Sequence, residues 1–374
     1  MKLLNIHNAA SQYRAPLFIE LGKRYEQQVC FFQPSRSWRE PLNALAYDGY
    51  QSEVLQGGLP RRLARLAKRV FLDDYDVLLM TVGGRLELCL VWLGAALRRK
   101  PFVLWEETWA PNRSAFHRLA GLFLPALYRR ADAVLALGSH VRRYLQSRGV
   151  PVAKIIVAPQ LVDAKVYAKP VPKARAAAAR KAFGLKPGRL ALLYVGRMVP
   201  EKGLATLMQA LALPEAKGWD LVLCGRGPLL DSLVGGHALA GRVHSLGHRS
   251  AKQLIEAYAA ADCLVLPSVS LPLFKEPWGL VVNEAFCQGL PALTSDAVGA
   301  AAGGLVRHRQ TGWIVPEGDV KALALALDAL GSDRALRKRL GAAAKRRVLS
   351  EDYQDMADRF GEAFELALEA RGPR

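Results

Sequence analysis

Glu276 and Glu284 bracket the segment Lys275-Glu276-Pro277-Trp278-Gly279-Leu280-Val281-Val282-Asn283-Glu284-Ala285, and its make-up gives the pair a chemical meaning. Pro277 suits the start of a helix, where its missing N–H costs nothing. Glu284 then shares a helical face with Leu280 and Val281, in a helix apolar on most sides. A carboxylate placed there is costly unless it receives hydrogen bonds, and two neighbouring ribose hydroxyls would supply them. Glu276 falls in the loop before the helix, where it can face a sugar. The early N–H groups at Trp278, Gly279 and Leu280 suit a diphosphate. An ordinary surface helix is the competing account, and the apolar flanks argue against it.

A second cluster is Gly196-Arg197-Met198-Val199-Pro200-Glu201-Lys202-Gly203, directly after the apolar run Leu190–Val195. Strand, glycine turn and helix in that order form the usual phosphate site of doubly wound sheets. Arg197 can bridge two diphosphate oxygens through its planar fork, while Lys202 offers a point charge. A solvated loop carrying two cations would look the same in isolation. Leu223-Cys224-Gly225-Arg226-Gly227-Pro228 is another glycine turn after a strand, and such a turn is more often structural than a ligand contact.

These residues need a scaffold, and the chain predicts one. Its 374 residues exceed the size of one hydrophobic core, so two domains are expected, and 51% apolar content can fill both. Short apolar runs alternate with longer amphipathic ones, which points to parallel sheets covered by helices. Strands are expected at 3–6, 29–32, 77–80, 102–104, 133–136 and 155–157, then at 190–195, 221–224, 243–246, 263–266, 292–294 and 313–315. Helices are expected at 59–72, 86–99, 114–130 and 139–148, then at 203–212, 251–260, 280–288, 321–330 and 352–369. The fold class is therefore α/β, with two Rossmann-like doubly wound domains facing across a cleft. The N-terminal domain is expected over 1–182 and the C-terminal one over 183–350. Residues 164–189 are rich in Lys, Ala and Pro and are expected to hold a hinge or linker, in which 174–181 could itself be a short helix; a last helix in 351–374 is expected to pack back on the first domain.

No apolar run reaches the roughly 18 residues of a membrane span, and 88–97 reads as a buried helix. The N-terminus meets Asn8 and Ser11 too early for a signal peptide, which places the chain in the cytoplasm. Cysteines 30, 89, 224, 263 and 287 are scattered through apolar runs and read as small core residues, not a metal site. Residues 1–181 carry 29 Lys/Arg against 13 Asp/Glu, whereas 182–374 carry 23 against 20. A one-sided positive field suggests an anionic partner. Leu59–Phe71 places Leu63, Leu66 and Val70 on one helical face and Arg61, Arg62, Arg65, Lys68 and Arg69 on the rest; 116–130 repeats the theme with Leu119, Leu122, Phe123 and Leu127. Either these are ordinary helices with a solvated side, or they meet anionic lipid, where each basic residue adds about 1 kcal/mol.

Read in order, Gly196-Arg197, Lys202-Gly203, Gly225-Arg226-Gly227-Pro228, Leu246-Gly247-His248, Tyr258 to Asp262, Leu266-Pro267-Ser268, Glu276 to Glu284, Gly289-Leu290-Pro291 and Thr311-Gly312-Trp313 form a specific series. The chain thereby resembles the retaining, two-domain glycosyltransferases of family four (glycosyl transferases group 1, GT-B fold). The resemblance implies transfer of a sugar from a UDP- or GDP-linked donor, with retained configuration and no cofactor. It implies that Arg197 and Lys202 bind the diphosphate in place of a metal ion, and that Glu276 contacts the donor sugar with the backbone of Trp278, Gly279 and Leu280. Glu284 would bind the ribose, Gly225 would lie at the donor, and the turn ending in His248 would border the base. The acceptor side resembles the family more loosely. Ala9-Ala10-Ser11-Gln12-Tyr13-Arg14 stands where relatives carry paired glycines, leaving Arg14 as the phosphate or acceptor contact. Where many relatives place a histidine, Leu104-Trp105-Glu106-Glu107-Thr108 offers Glu106 or Glu107, each equally readable as a structural carboxylate. His140, at a helix start, reads as a first-turn residue.

The expected partners are a nucleotide diphosphate sugar and a lipid-linked or membrane-proximal acceptor, as in bacterial surface polysaccharide or glycolipid assembly. The protein would then sit on the inner face of the cell membrane, against its anionic surface. Two rivals compete. One is an epimerase or inverting transferase of similar shape, separated by product stereochemistry. The other is a basic nucleic-acid binder, suggested by the net charge of +19 but supported by no nucleic-acid motif.

Overall fold

The computed structural model describes residues 1–9, 12–33, 50–81, 84–110, 124–235, 239 and 241–372. It divides into two compact units, Met1–Leu161 with Asp352–Arg374, and Val162–Glu351.

The first unit is built on seven parallel strands: β1 (Lys2–Ala9), β2 (Glu26–Gln33), β3 (Gln51–Val54), β4 (Val77–Thr81), β5 (Phe102–Glu106), β6 (Ala133–Ala136) and β7 (Ile155–Val157). Their order is β3-β2-β1-β4-β5-β6-β7. The inner strands are largely buried and mostly apolar, as expected where helices cover both sheet faces, with Asn5, His7 and Asp220 among their buried polar exceptions. The second unit repeats the plan with β8 (Leu190–Val195), β9 (Trp219–Cys224), β10 (Val243–Gly247), β11 (Cys263–Leu266), β12 (Ala292–Ser295) and β13 (Gly312–Val315), ordered β10-β9-β8-β11-β12-β13. The order reverses between β1 and β4 in one sheet and between β8 and β11 in the other. Loops leaving the carboxyl ends of those strands diverge there and leave room for ligands.

The two-sheet α/β architecture agrees with the sequence reading, and its differences have physical causes. Residues 162–182 belong to the second unit rather than the first. Helix Lys173–Ala182 lies on that unit because Arg180 donates to Asp262 Oδ2 (2.8 Å) and to the carbonyls of Ala260 and Arg189. Helix Tyr353–Glu369 sinks Met356, Phe360 and Phe364 into the first unit's core, with the Phe360 ring 5.0 Å from Trp105. A capping box of Asp352 and Asp355 starts it.

Helix Arg85–Leu97 is not a buried helix: Leu88 and Val91 face the core, but Leu86, Cys89, Leu93 and Leu97 are exposed. The other four cysteines are buried, and all five are free. Of the expected helix 114–130, Leu124–Arg130 is described; Leu119, Leu122 and Phe123 lie outside the described residues, as do Ala10 and Ser11. No helix among the described residues is long and apolar enough to cross a membrane.

Candidate active site

At the reversal in the second sheet, two loops meet. The turn after β8 carries Lys202, and the segment after β11 carries Ser268 and Glu276. The Lys202 ammonium and the Ser268 hydroxyl both donate to Glu276 Oε2, the latter at 3.1 Å. Glu276 is buried, and the ammonium also lies 5.7 Å from the centre of the Phe274 ring. Gly203 makes this approach possible. Its φ is +68°, and a Cβ there would fall 1.8 Å from the Pro267 carbonyl oxygen. Only glycine satisfies both the left-handed turn and the contact.

Glu276 is fixed by its backbone. It bridges Val298 in parallel, its carbonyl accepts from Gly299 N–H (3.1 Å), and the Trp278 carbonyl accepts from Ala300 N–H (2.7 Å). These bonds hold 276–278 extended, so the helix begins at Val281 and not at Pro277. Gly279, with φ +95°, turns the chain into it. The Trp278 ring is buried, its Nε1 donating to Asn283 Oδ1 (2.8 Å), which leaves the backbone of 278–280 as the part that can meet a ligand.

Glu284 is buried on that helix and accepts from the Tyr258 hydroxyl at 2.7 Å. The expected burial is therefore accompanied by an internal donor on helix Ala251–Ala260. Arg197 is placed differently from Lys202: its side chain is 51% exposed and pairs with Glu201 at 3.2 Å. Gly225 has a packing role, since a Cβ would fall 1.9 Å from the Gly196 carbonyl oxygen. It presses one glycine turn onto the other, helped by Met198 N–H donating to the Arg226 carbonyl (2.9 Å). His248 is half-buried, directly after β10.

The first unit gathers polar groups at its own reversal. Arg14 is buried, ion-paired to Glu107, 3.5 Å from His7 Nδ1 and stacked 4.7 Å from the Trp105 ring. His7 lies near the carboxyl end of β1 and contacts Thr81 Oγ1 at the end of β4. Burial among Phe18, Phe31 and Trp105, then the nearby Arg14 charge, hold the His7 pKa well below 6.5, so the ring is neutral. Sequence reading missed His7, although a histidine directly after the apolar run Leu3–Ile6 was a signal. Glu106 and Glu107 part company. Glu106 is fully buried, its Oε1 accepts from the N–H groups of Glu107 (2.9 Å) and Thr108 (2.6 Å), and burial raises its pKa. It shapes the turn that presents Glu107 to Arg14. His140 is buried in the first turn of helix Ser139–Ser147, its ring edge-on to Trp109 at 5.0 Å.

The chain contains an Asp-x-Asp triplet, Asp74-Tyr75-Asp76, of the kind that holds a metal in other transferases. Asp74 accepts from Lys2 Nζ (2.7 Å) and Asp76 from the Lys2 N–H (2.8 Å), at the amino ends of β1 and β4. It ties those strands together at the sheet edge opposite His7 and Thr81.

Comparison with known proteins bears on the family and the fold. The family model for glycosyl transferases group 1 matches residues 176–347, and that for glycosyltransferase family 4 matches 19–166. An exopolysaccharide phosphotransferase of Streptomyces coelicolor is 36% identical over 150 residues, which is 39% of this chain and 15% of that protein. A D-inositol 3-phosphate glycosyltransferase of Nocardia farcinica is 31% identical over 251 residues, 64% of this chain and 53% of that protein. The chain thus spans well under two thirds of the length of these curated relatives. Among solved structures, Anabaena HepE in complex with UDP and glucose superposes with a TM-score of 0.78 at 20% identity, covering 98% of this chain and 99% of that one.

Proposed function

Because the chain belongs to the group 1 glycosyltransferases, we propose that it moves a sugar from a UDP- or GDP-linked donor to an acceptor hydroxyl with retained anomeric configuration. The observation that carries this reading is the convergence of Lys202 and Ser268 on Glu276 at the β8–β11 reversal. A sugar diphosphate entering there meets a cation, a carboxylate and the turn at Gly279, while Glu284 and Tyr258 lie on neighbouring helices to take the ribose. The bond from C1 to the diphosphate oxygen breaks, and the diphosphate leaves with the electron pair. The acceptor oxygen bonds C1 from the same face, and its proton passes to the departing phosphate. Lys202, and Arg197 swung from Glu201, stabilise the growing negative charge, so no divalent ion is required.

The UDP in the HepE complex favours a UDP-linked donor. The name of the Streptomyces coelicolor relative supports a role in polysaccharide assembly. On this account the acceptor is lipid-linked or membrane-proximal, and Arg14 with Glu107 meets it. The test is product analysis with a panel of UDP- and GDP-sugars in the presence of a chelator. A glycoside with the donor's anomeric configuration is expected. An inverted product, an epimerised donor without transfer, or activity that appears only on adding magnesium would each overturn a named part of the proposal.

A further inference from the structure

Helix Leu59–Leu72 and helix Arg85–Leu97 lie side by side, Arg62 bonded to Glu87 and Val70 packed against Gly94. Their outer surface is unusual. Leu86, Cys89, Leu93 and Leu97 recur at helical spacing along one face, and the three leucines are 57%, 45% and 67% exposed. Single exposed leucines are ordinary, but a stripe running the length of a surface helix is not. Leu59 and Leu72, at the two ends of the neighbouring helix, are exposed as well.

The exposed charges on the two helices have one sign. Arg62 and Arg69 turn inward, to Glu87 and to Asp73 and Glu53, and are internally neutralised. Arg61, Arg65 and Lys68 are exposed. On the other flank Arg130 is exposed and stacks on Trp92 at 5.6 Å, and Arg99 is exposed just past the end of the stripe. The two helices carry a single acid, Glu87, and it is buried beneath Arg62. Apolar side chains flanked by cations, with no exposed acid on either helix, complement an anionic lipid surface.

We propose that this face docks on an anionic membrane leaflet, with Leu86, Leu93 and Leu97 entering the boundary between headgroups and acyl chains and Arg61, Arg65 and Lys68 meeting lipid phosphates. The proposal is independent of the donor site, and its readout is binding rather than transfer. Cys89 is a built-in reporter, because it sits in the stripe and the other four cysteines are buried. Full-length protein labelled there with an environment-sensitive fluorophore is mixed with phosphatidylglycerol or phosphatidylcholine vesicles, and unlabelled protein is sedimented in parallel. A blue shift and co-sedimentation are expected with the anionic vesicles only, declining as salt is raised. The Leu86→Gln, Leu93→Gln, Leu97→Gln variant, changed only at exposed positions, is expected to lose roughly tenfold or more in partitioning. The Arg61→Gln, Arg65→Gln, Lys68→Gln variant is expected to lose on the order of a hundredfold at low salt. Equal binding to both vesicle types, or full binding by the leucine variant, would overturn the proposal. Light scattering that shows a wild-type dimer, lost in the leucine variant, without any vesicle response would overturn it in favour of a second copy of the chain.

Discussion

Lys202→Ala is expected to lower kcat by roughly 10²–10³-fold, the scale of losing one preorganised group aimed at developing charge. Substrate binding should weaken less, because negative charge on the diphosphate grows as the bond to C1 breaks and the ammonium is worth most at that point. Two observations make Lys202 the decisive cation. It is the charge already held at Glu276, whereas Arg197 is half-exposed and paired with Glu201. Arg197→Ala should therefore cost less. Removing the lysine also takes a cation away from the buried Glu276, so unfolding must be followed beside kinetics. Steady-state kinetics with Lys202→Ala and Lys202→Arg decide the matter. An effect on KM alone, or none on either constant, would remove Lys202 from the transition state.

Gly203→Ala is expected to destabilise the protein by roughly 3 kcal/mol or more. The left-handed φ of +68° alone costs an alanine about 1 kcal/mol. The larger part is steric, since the new methyl would stand 1.8 Å from the Pro267 carbonyl oxygen, a backbone atom that cannot rotate away. The two loops would have to separate, and Lys202 would leave Glu276 with them. Loss of activity should thus accompany loss of stability. Gly218→Ala is the control, because nothing lies within 4 Å of a Cβ there. Equal denaturation midpoints for the two variants would show that the approach of the loops is not under constraint.

Much of this was legible in sequence because parallel strands buried on both faces are written as uninterrupted apolar runs. Leu190–Val195 and Cys263–Leu266 could scarcely be anything else. Edge strand β3 escaped notice because Gln51-Ser52-Glu53-Val54 is polar and only partly covered. Helix Arg334–Val348 escaped because it is strongly basic and buries little beyond Leu340, Gly341, Ala344 and Val348. The leucines of Arg85–Leu97 misled in the opposite direction. Composition reports that a helix is apolar, not which face a neighbour covers. At the candidate site of the second unit the residue types were legible, but their pairings were not. That Lys202 lies against Glu276, Tyr258 against Glu284, and Arg197 against Glu201 depends on loops set by Gly203 and by the bridge from Glu276 to Val298. In the first unit, adjacent Glu106 and Glu107 looked equivalent, and only the end of β5 separates a buried turn-former from the partner of Arg14.

The central claim is that the second unit binds a nucleoside diphosphate with Glu284 on its ribose, and calorimetric titration tests it most directly. Wild-type protein and Glu284→Ala are each titrated with UDP and with GDP. Saturable binding of at least one nucleotide by the wild type is expected. The variant should bind it more weakly by about 1–3 kcal/mol, the cost of losing a buried hydrogen-bonding partner. Absence of binding for both nucleotides, or equal affinity in the variant, would contradict the account.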